Sequence, residues 1–323
     1  MLRYIAFRLV QALAVLVLLS AAAYGLLGLM PGDPIDLMVG SDPRITSEDI
    51  ARLKALQGLD RPIWERYLNW LAAALQGDLG YSRLYTRPVL DIVAERMPRT
   101  LLLIGLALAL ALAIAVPAAV VAARNPGGFV DRGVNLVCFA GISLPPFWLA
   151  LLLILLFAVV LGWLPAGGTA SGDGSGGVLD RARHLVLPVA TLAAASVAAY
   201  TRHLRAALIE ALGEDYVRTA RAKGLSERVV TTRHALRNAL LPVVTLLGLD
   251  LGSLVSGALV TETMFAQPGM GKTIYDSVMG NDYNLALVGL LVAAAATLLG
   301  NLAADVAYAR LDPRITYRAE TAP

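Results

Sequence analysis

One short segment carries the residue types of a nucleotide-binding loop. Pro268–Thr273 reads PGMGKT, in which glycine is followed by lysine and threonine. A phosphate-binding loop of the Walker A type needs a further glycine five residues before the Gly-Lys pair, and Ala266 stands there. No strand is predicted before the segment. We therefore predict that the chain has no nucleotide site of its own at this segment.

A single carboxylate lies deep within an apolar run. Asp250 is the one charged residue inside Ala239–Val260, and a charge near the middle of a bilayer is costly unless it faces protein or water. One hypothesis is that Asp250 lines a central translocation path and interacts with a cationic group of a substrate. The alternative is a buried aspartate paired with a polar group on a neighbouring helix, in this chain or in a partner subunit. Gly248, Gly252 and Ser256 favour close helix packing around it.

Other residues that support catalysis or metal binding are too sparse or too scattered. Cys138 is the single cysteine, which excludes an internal disulfide and a multi-cysteine metal site. The three histidines, at 184, 203 and 234, do not recur at metal-ligand spacing. An intramembrane aspartyl protease needs two facing carboxylates, and Asp305 is predicted to lie far in depth from Asp250. We predict no metal site and no enzymatic activity.

Composition places the chain among polytopic membrane proteins. Hydrophobic residues make up 57% of the 323 residues and charged residues 16%, against about half and about a quarter in soluble domains. Several uncharged runs approach or exceed the roughly 20 residues that cross a bilayer. We predict an all-α fold with six transmembrane helices, at Leu9–Leu29, Leu101–Ala123, Val134–Leu161, His184–Thr201, Ala239–Val260 and Leu285–Ala304.

The third predicted span is interrupted by two prolines in Leu144–Trp148, which reads LPPFW. Two prolines preclude one straight helix. Either the span is broken there or it begins near Trp148.

Basic residues predict the orientation, because short cytoplasmic loops are rich in lysine and arginine. With six spans, the basic segments Arg124–Arg132, Arg202–Arg237 and 309–323 all fall on the side of the N-terminus. We predict that both termini are cytoplasmic. The net charge of +3 gives no reason to invoke nucleic acid.

A long, nearly charge-balanced segment follows the first span. The predicted divisions are the N-terminal segment with span one (1–30), a helical external insertion (31–100), a core with the other spans (101–308) and a cytoplasmic tail (309–323). In the insertion, Thr46–Asp49 is a helix-start cluster, and Pro62–Leu75 is an amphipathic helix. Its apolar side chains form either an anchor at the membrane interface or an internal core, and we favour the core. These side chains are Trp64, Tyr67, Leu68, Leu71 and Leu75.

The longest basic polar segment is Glu214–Pro242, and its local signals predict two short helices at an angle. Asp215 or Glu214 suits the first turn of the first helix, and Gly224 suits its left-handed end. Ser226 is predicted to cap the second helix.

One face of the first short helix is predicted to carry Tyr216, Ala220 and Lys223, with small Ala222 and Gly224 leaving it shallow. Such a helix can lie in a groove on another protein. The alternative is a solvated basic loop that only obeys the positive-inside rule.

The order of these features resembles the EAA loop of ABC-importer permeases, and DYVRTARAKG with HALRNALLP resembles the dipeptide/oligopeptide branch. MPGDP after span one and LDPRI at Leu311–Ile315 resemble the same branch. Two features depart from the general motif. Arg218-Thr219-Ala220 stands where the motif has Glu-Ala-Ala, and the Leu-Pro pair comes about one helical turn later.

This resemblance implies a type I ABC importer permease fold in a bacterial inner membrane, with the loop docked on a cytoplasmic ATPase. It implies a second homologous permease, two ABC ATPase subunits that bind ATP and magnesium, a substrate-binding protein and a peptide substrate, with no cofactor bound directly. The cargo could equally be glutathione or a nickel chelate. The implied ATPase-coupling residues are Tyr216, Arg218, Thr219, Ala220, Arg221, Ala222, Lys223 and Gly224.

A stand-alone secondary transporter or channel is the alternative function. It would favour inverted repeats and ionisable residues along several spans, whereas this sequence shows no repeat and one deep charge. The permease interpretation is therefore preferred.

Overall fold

The computed structural model describes residues 2–28, 46, 48–49, 52, 60–171 and 176–311, and most of them are helical. The helices are α1 (Leu2–Gly28), α2 (Ile63–Leu75), α3 (Val89–Arg124), α4 (Phe129–Ser143), α5 (Pro146–Leu153), α6 (Val178–Gly213), α7 (Asp215–Ala222), α8 (Glu227–Val229), α9 (Leu236–Ala239), α10 (Leu241–Met264), α11 (Met270–Met279) and α12 (Tyr283–Leu311). Two π-helical segments, Ile154–Val160 and Val230–Ala235, continue α5 and α8. Strands β1 (Tyr81–Ser82) and β2 (Arg87–Pro88) form an antiparallel hairpin.

Four described helices, α1, α3, α6 and α12, are long and apolar enough to cross a bilayer. Helices α4 and α5 meet at a bend of 104° and, taken together, make a fifth candidate. The two prolines therefore end one helix and begin the next, as predicted, and both alternatives for the third span stay predictions. Helix α10 lies where the fifth span is predicted, although the side chains at 249 and 251–257 lie outside the described residues.

Two spans are longer than hydrophobicity alone predicts. Helix α3 begins at Val89, well before the predicted start of the second span, and continues through Pro117. Helix α6 has 36 residues, about 54 Å at 1.5 Å per residue, against a hydrocarbon core of about 30 Å. The first part of the predicted basic loop is thus a helical extension of α6.

The main core lies between α3 and α6. Five buried alanines of α3 recur every fourth residue and so share one face of the helix. Their small side chains allow close helix contact. The opposing side chains of α6 include the fully buried Tyr200, Leu204 and Leu208. The alanines are Ala107, Ala111, Ala115, Ala119 and Ala123.

Helix α2 forms where the amphipathic helix was predicted, but its apolar side chains do not make an internal core. Trp64, Leu68 and Leu75 are 64%, 53% and 82% exposed, so the favoured interpretation is wrong for them. Tyr67 packs edge-on against Tyr24 of α1, with ring centroids 5.7 Å apart. The helix touches α1, and its Trp70 packs against a small cluster of α3 and α12 side chains, while Trp64, Leu68 and Leu75 stay exposed.

The helix-start cluster in the insertion has the reciprocal bonds of a capping box. The backbone N–H of Thr46 donates to the Asp49 carboxylate at 3.0 Å, and the backbone N–H of Asp49 donates to the Thr46 hydroxyl at 3.2 Å. Most of the helix predicted after it, the MPGDP segment and the tail beyond Leu311 lie outside the described residues.

The hairpin joins the insertion to the turn between α11 and α12. The Ser82 hydroxyl and the Leu84 backbone N–H both donate to the carboxylate of Asp282, at 2.5 and 2.9 Å. Asp282 is 2% exposed. One carboxylate oxygen accepts both hairpin bonds, and the other accepts from the backbone N–H of Leu285 in α12 at 3.3 Å, so this buried carboxylate fixes the hairpin on the helical core.

Candidate functional site

Helix α7 follows α6 directly, and its ends obey the local sequence. Asp215 stands in its first turn, where negative charge is favourable. Gly224 follows the helix with φ of +77°, a left-handed conformation that glycine adopts at no steric cost. Ser226 stands at the N-cap of α8 as predicted, but its side chain makes no capping hydrogen bond. That part of the prediction is wrong.

The buried face of α7 differs from the predicted arrangement. Val217 is fully buried and Ala220 is 4% exposed, and both belong to the main core. Ala220 therefore does not share an exposed face with Tyr216 and Lys223, and the prediction that it does is wrong. The helix rests on the core through residues three apart, which face the same side. In the sequence, this orientation is indicated by Val217, an apolar residue in a mostly polar helix.

The outward surface of α7 is polar, and two ion pairs order it. Arg218 bonds to Asp215 within the helix at 3.0 Å. Arg221 donates to Glu227 across the Gly224 turn at 2.8 Å, and this hydrogen bond holds the pKa of Glu227 below its usual value. Exposed pairs add little stability, and of the two only the Arg221–Glu227 pair joins α7 to α8. The exposed residues of α7 and its C-terminus are Asp215, Tyr216, Arg218, Thr219, Arg221, Ala222, Lys223 and Gly224.

A buried ion pair that sequence reasoning missed supports the base of α6. Asp131, in the first turn of α4, is 3% exposed. It accepts two hydrogen bonds from the guanidinium of Arg205 on α6, one of them at 2.6 Å. These bonds lower the pKa of Asp131 to about 2, so the carboxylate is charged at physiological pH. Its contribution to stability is fully present above the ordinary pKa and is lost as the pH falls toward 2.

The segment that resembles a phosphate loop lies against a carboxylate of the chain itself. Glu262 is 1% exposed and accepts hydrogen bonds from the Thr100 hydroxyl and from the backbone N–H of Lys272, at 2.5 and 2.9 Å. A Cβ at Gly269 would lie 2.0 Å from Glu262 Oε1. The N-terminus of α11 thus binds an internal anion. The element before it is helix α10, and a phosphate loop requires a strand there.

Asp250 lies half-buried on α10. Its carboxylate faces the hydroxyl of Tyr200 on α6, and Tyr200 is fully buried. The structure therefore supplies a polar neighbour on an adjacent helix, which the second hypothesis for Asp250 requires. A side chain with such a neighbour can still border a passage, so its role remains a prediction.

Among the residues that the structure describes, no three His, Cys, Asp or Glu side chains meet in a group that could hold a metal ion. The Nδ1 atoms of His184 and His203 each lie 2.9 Å from the carbonyl oxygen of the preceding helical turn. Cys138 is a buried free cysteine.

Two family models match the chain in succession. One, described as a binding-protein-dependent transport system inner membrane component, matches residues 115–317. The model of the N-terminal part of such membrane components matches residues 1–104. The chain belongs to this family. The family resemblance drawn from the basic segment is thereby confirmed, and the chain is a permease component of an ABC importer.

Relatives of this permease match it over nearly its whole length. It is 39% identical over 315 residues to the oligopeptide transport system permease protein AppB of Bacillus subtilis (97% of this chain, 99% of the relative). It is 39% identical to the di/tripeptide transport system permease protein DppB of Pseudomonas aeruginosa (98% and 100%). It is 38% identical to the glutathione transport system permease protein GsiC of Escherichia coli O6:H1 (98% and 100%).

Breaking the Asp131–Arg205 pair is expected to destabilise the permease. Arg205→Ala leaves Asp131 buried and uncompensated, which costs about 3 kcal/mol. The exposed Arg218–Asp215 pair provides the control, because Arg218→Ala is expected to change stability by less than about 1 kcal/mol. Thermal unfolding of the purified variants in detergent measures both. Equal melting temperatures for the two variants would contradict the structural role of the buried pair.

Proposed function

We propose that this permease is the translocation subunit of an ATP-driven importer that moves di- or oligopeptides into the cytoplasm. The names of relatives that match over nearly their full length support peptide cargo, and the glutathione relative is itself named for a small peptide. The chain supplies the pathway, and separate subunits hydrolyse ATP.

The proposed architecture has six spans, cytoplasmic termini and an external insertion at 31–100 in a bacterial inner membrane. The charge distribution supports it, because the three basic segments fall on one side of a six-span arrangement. The proposed divisions remain 1–30, 31–100, 101–308 and 309–323.

The proposed partners are a second homologous permease, two cytoplasmic ATPase subunits that bind ATP and magnesium, and an extracytoplasmic substrate-binding protein. The observation that carries the proposal is the two-sided character of α7. Val217 and Ala220 fix the helix to the core, while Arg218, Thr219 and Lys223 are exposed. A short polar helix held on a rigid base suits transmission of a partner's movement.

In the proposed mechanism, closure of the ATPase subunits displaces α7, and α6 and α10 carry the displacement toward the membrane. Moving a two-state equilibrium from 1:99 to 99:1 takes about 5.5 kcal/mol of differential binding. The Arg221–Glu227 bond across the Gly224 turn makes α7 and α8 move together. Of the predicted coupling residues, Ala220 acts through packing, because its side chain is buried.

For Asp250 we propose a place on the border of the translocation path. The Tyr200 hydroxyl that it faces supports a position of the carboxylate on the side of α10 that meets α6.

Co-purification tests the proposed coupling. The chain is expressed with the ATPase genes that neighbour its own, and the amount of ATPase retained by Arg218→Glu is compared with wild type. Arg132→Glu is the control, because Arg132 is exposed, lies in a predicted cytoplasmic turn and is not on α7. The expected result is loss of most ATPase from Arg218→Glu and full retention by Arg132→Glu. Equal retention by all three proteins would refute docking at α7.

A further inference from the structure

A cavity of about 380 Å³ opens at the end of the helix bundle that is predicted to be external. The start of α3, residues 169–170, the first turns of α6 and the α10–α11 turn form its wall. This volume is at the lower end of the range for small-molecule pockets. Its charged and polar lining includes Arg99, Arg181, His184, Glu262 and Gln267.

Glu262, the carboxylate among the described lining residues, is already occupied by bonds within the protein. Glu262 accepts hydrogen bonds from the Thr100 hydroxyl and from the backbone of the α11 N-terminus, where the helix dipole also opposes its charge. Both carboxylate oxygens are therefore engaged before any ligand enters.

The positive charges of the two arginines in the lining are not fully neutralised by carboxylates that the structure describes. Arg181 makes no ion pair with any residue that the structure describes. Arg99 shares the Glu95 carboxylate at 3.3 Å with Arg87 at 3.0 Å and Arg96 at 3.9 Å. Three guanidinium groups thus surround one carboxylate, which leaves net positive charge beside the cavity.

His184 adds a buried, oriented imidazole. It is 5% exposed, and its Nδ1 atom lies 2.9 Å from the carbonyl oxygen of Asp180. The Asp180 carboxylate lies 3.6 Å from the same nitrogen. Because Nδ1 donates to the Asp180 carbonyl, the Nε2 atom of the neutral imidazole is an acceptor. Within the described part of the chain no hydrogen bond reaches the Nε2 atom, so this acceptor is available to a ligand.

We propose that this cavity binds the terminal carboxylate of a small peptide, with Arg181 and Arg99 as its cationic ligands and the His184 Nε2 atom as an acceptor for a peptide N–H. Arginine binds carboxylates through two parallel hydrogen bonds, and the cavity suits a dipeptide or the end of a longer peptide. The proposal rests on the proposed function, because the peptide cargo supplies the free carboxylate.

Binding of alanyl-alanine to the full-length chain in lipid nanodiscs tests the proposal. The comparison ligand is alanyl-alanine amide, which has the same shape without the terminal charge. We expect the amide to bind about tenfold more weakly than the free dipeptide, and Arg181→Gln to weaken binding of the free dipeptide by a similar factor. Arg181→Lys is expected to restore part of the loss.

Arg61→Gln is the matched control, because Arg61 is an exposed arginine of the insertion outside the cavity; its binding is expected to equal wild type. Thermal unfolding confirms that each variant is folded, and Arg99→Gln replaces Arg181→Gln if the latter is not. Equal binding of acid and amide, unchanged binding by Arg181→Gln, or no binding of the dipeptide would overturn the proposal. The assay needs no ATPase, so its failure is distinguishable from failure of ATPase docking.

Discussion

Replacing Glu262 with alanine is expected to lower the melting temperature of the permease by about 10 °C. The substitution leaves the Thr100 hydroxyl and the backbone N–H groups at the start of α11 buried without their acceptor. Each unsatisfied buried donor costs about 1–3 kcal/mol, and in a large domain each kcal/mol is worth about 2–4 °C. Thermal unfolding in detergent, followed by fluorescence-detected size exclusion, measures the effect.

Two further variants show whether the Glu262 contacts cause the loss. Glu262→Gln keeps an acceptor oxygen and is expected to lose less stability than Glu262→Ala. Gly269→Ala is expected to destabilise because its Cβ would overlap the Glu262 carboxylate. Glu65→Ala, on the surface of α2, is the control and is expected to change little. A melting temperature of Glu262→Ala equal to that of Glu65→Ala would contradict the role assigned to this carboxylate.

Replacing Gly224 with valine is expected to remove peptide-stimulated ATP hydrolysis from the assembled transporter while the membrane core stays folded. The residue has φ of +77°, and a β-branched side chain there costs about 1–3 kcal/mol. A Cβ at this position meets no atom within 4 Å, so the effect comes from the backbone and not from a clash. We expect the turn to adopt a different backbone conformation, which would change the orientation of α7 relative to the ATPase subunit.

Gly224→Asn is the matched control, because asparagine tolerates the left-handed conformation better than other side chains. It is expected to retain most of the stimulated hydrolysis. ATPase activity of the co-purified complex, with and without peptide-loaded binding protein, measures both variants. Wild-type stimulation by the valine variant would show that the geometry of this turn does not matter for coupling.

The local features of the basic segment were predictable because neighbouring residues determine them. A left-handed glycine, an acidic first turn and an amphipathic period are properties of a few consecutive residues, and α2, α7 and Gly224 appear as predicted. The ends of the helices were harder to predict from the sequence. Hydrophobicity predicts where the apolar part of a span ends. Helix α6 continues beyond that point, with Leu204 and Leu208 on its buried side and polar residues on the other.

The contacts that hold the candidate site depend on residues far apart in sequence. Asp131 and Arg205 are separated by 74 positions, and Thr100 and Glu262 by 162. No local pattern indicates either pair. The buried side of α7 is an intermediate case, because Val217 stood among polar residues as a signal, but an eight-residue helix gives too few positions for its period to be decisive.

The most direct test of the central claim is peptide uptake by proteoliposomes that contain the permease with its genomic neighbours. Uptake of labelled alanyl-alanine is measured with and without ATP on the ATPase side, and again with the Gly224→Val and Gly224→Asn proteins. We predict uptake that requires ATP, the ATPase subunits and the binding protein, that is lost in the valine variant and that is retained in the asparagine variant. Uptake by the purified chain alone, independent of ATP and of position 224, would contradict the account and indicate a secondary transporter.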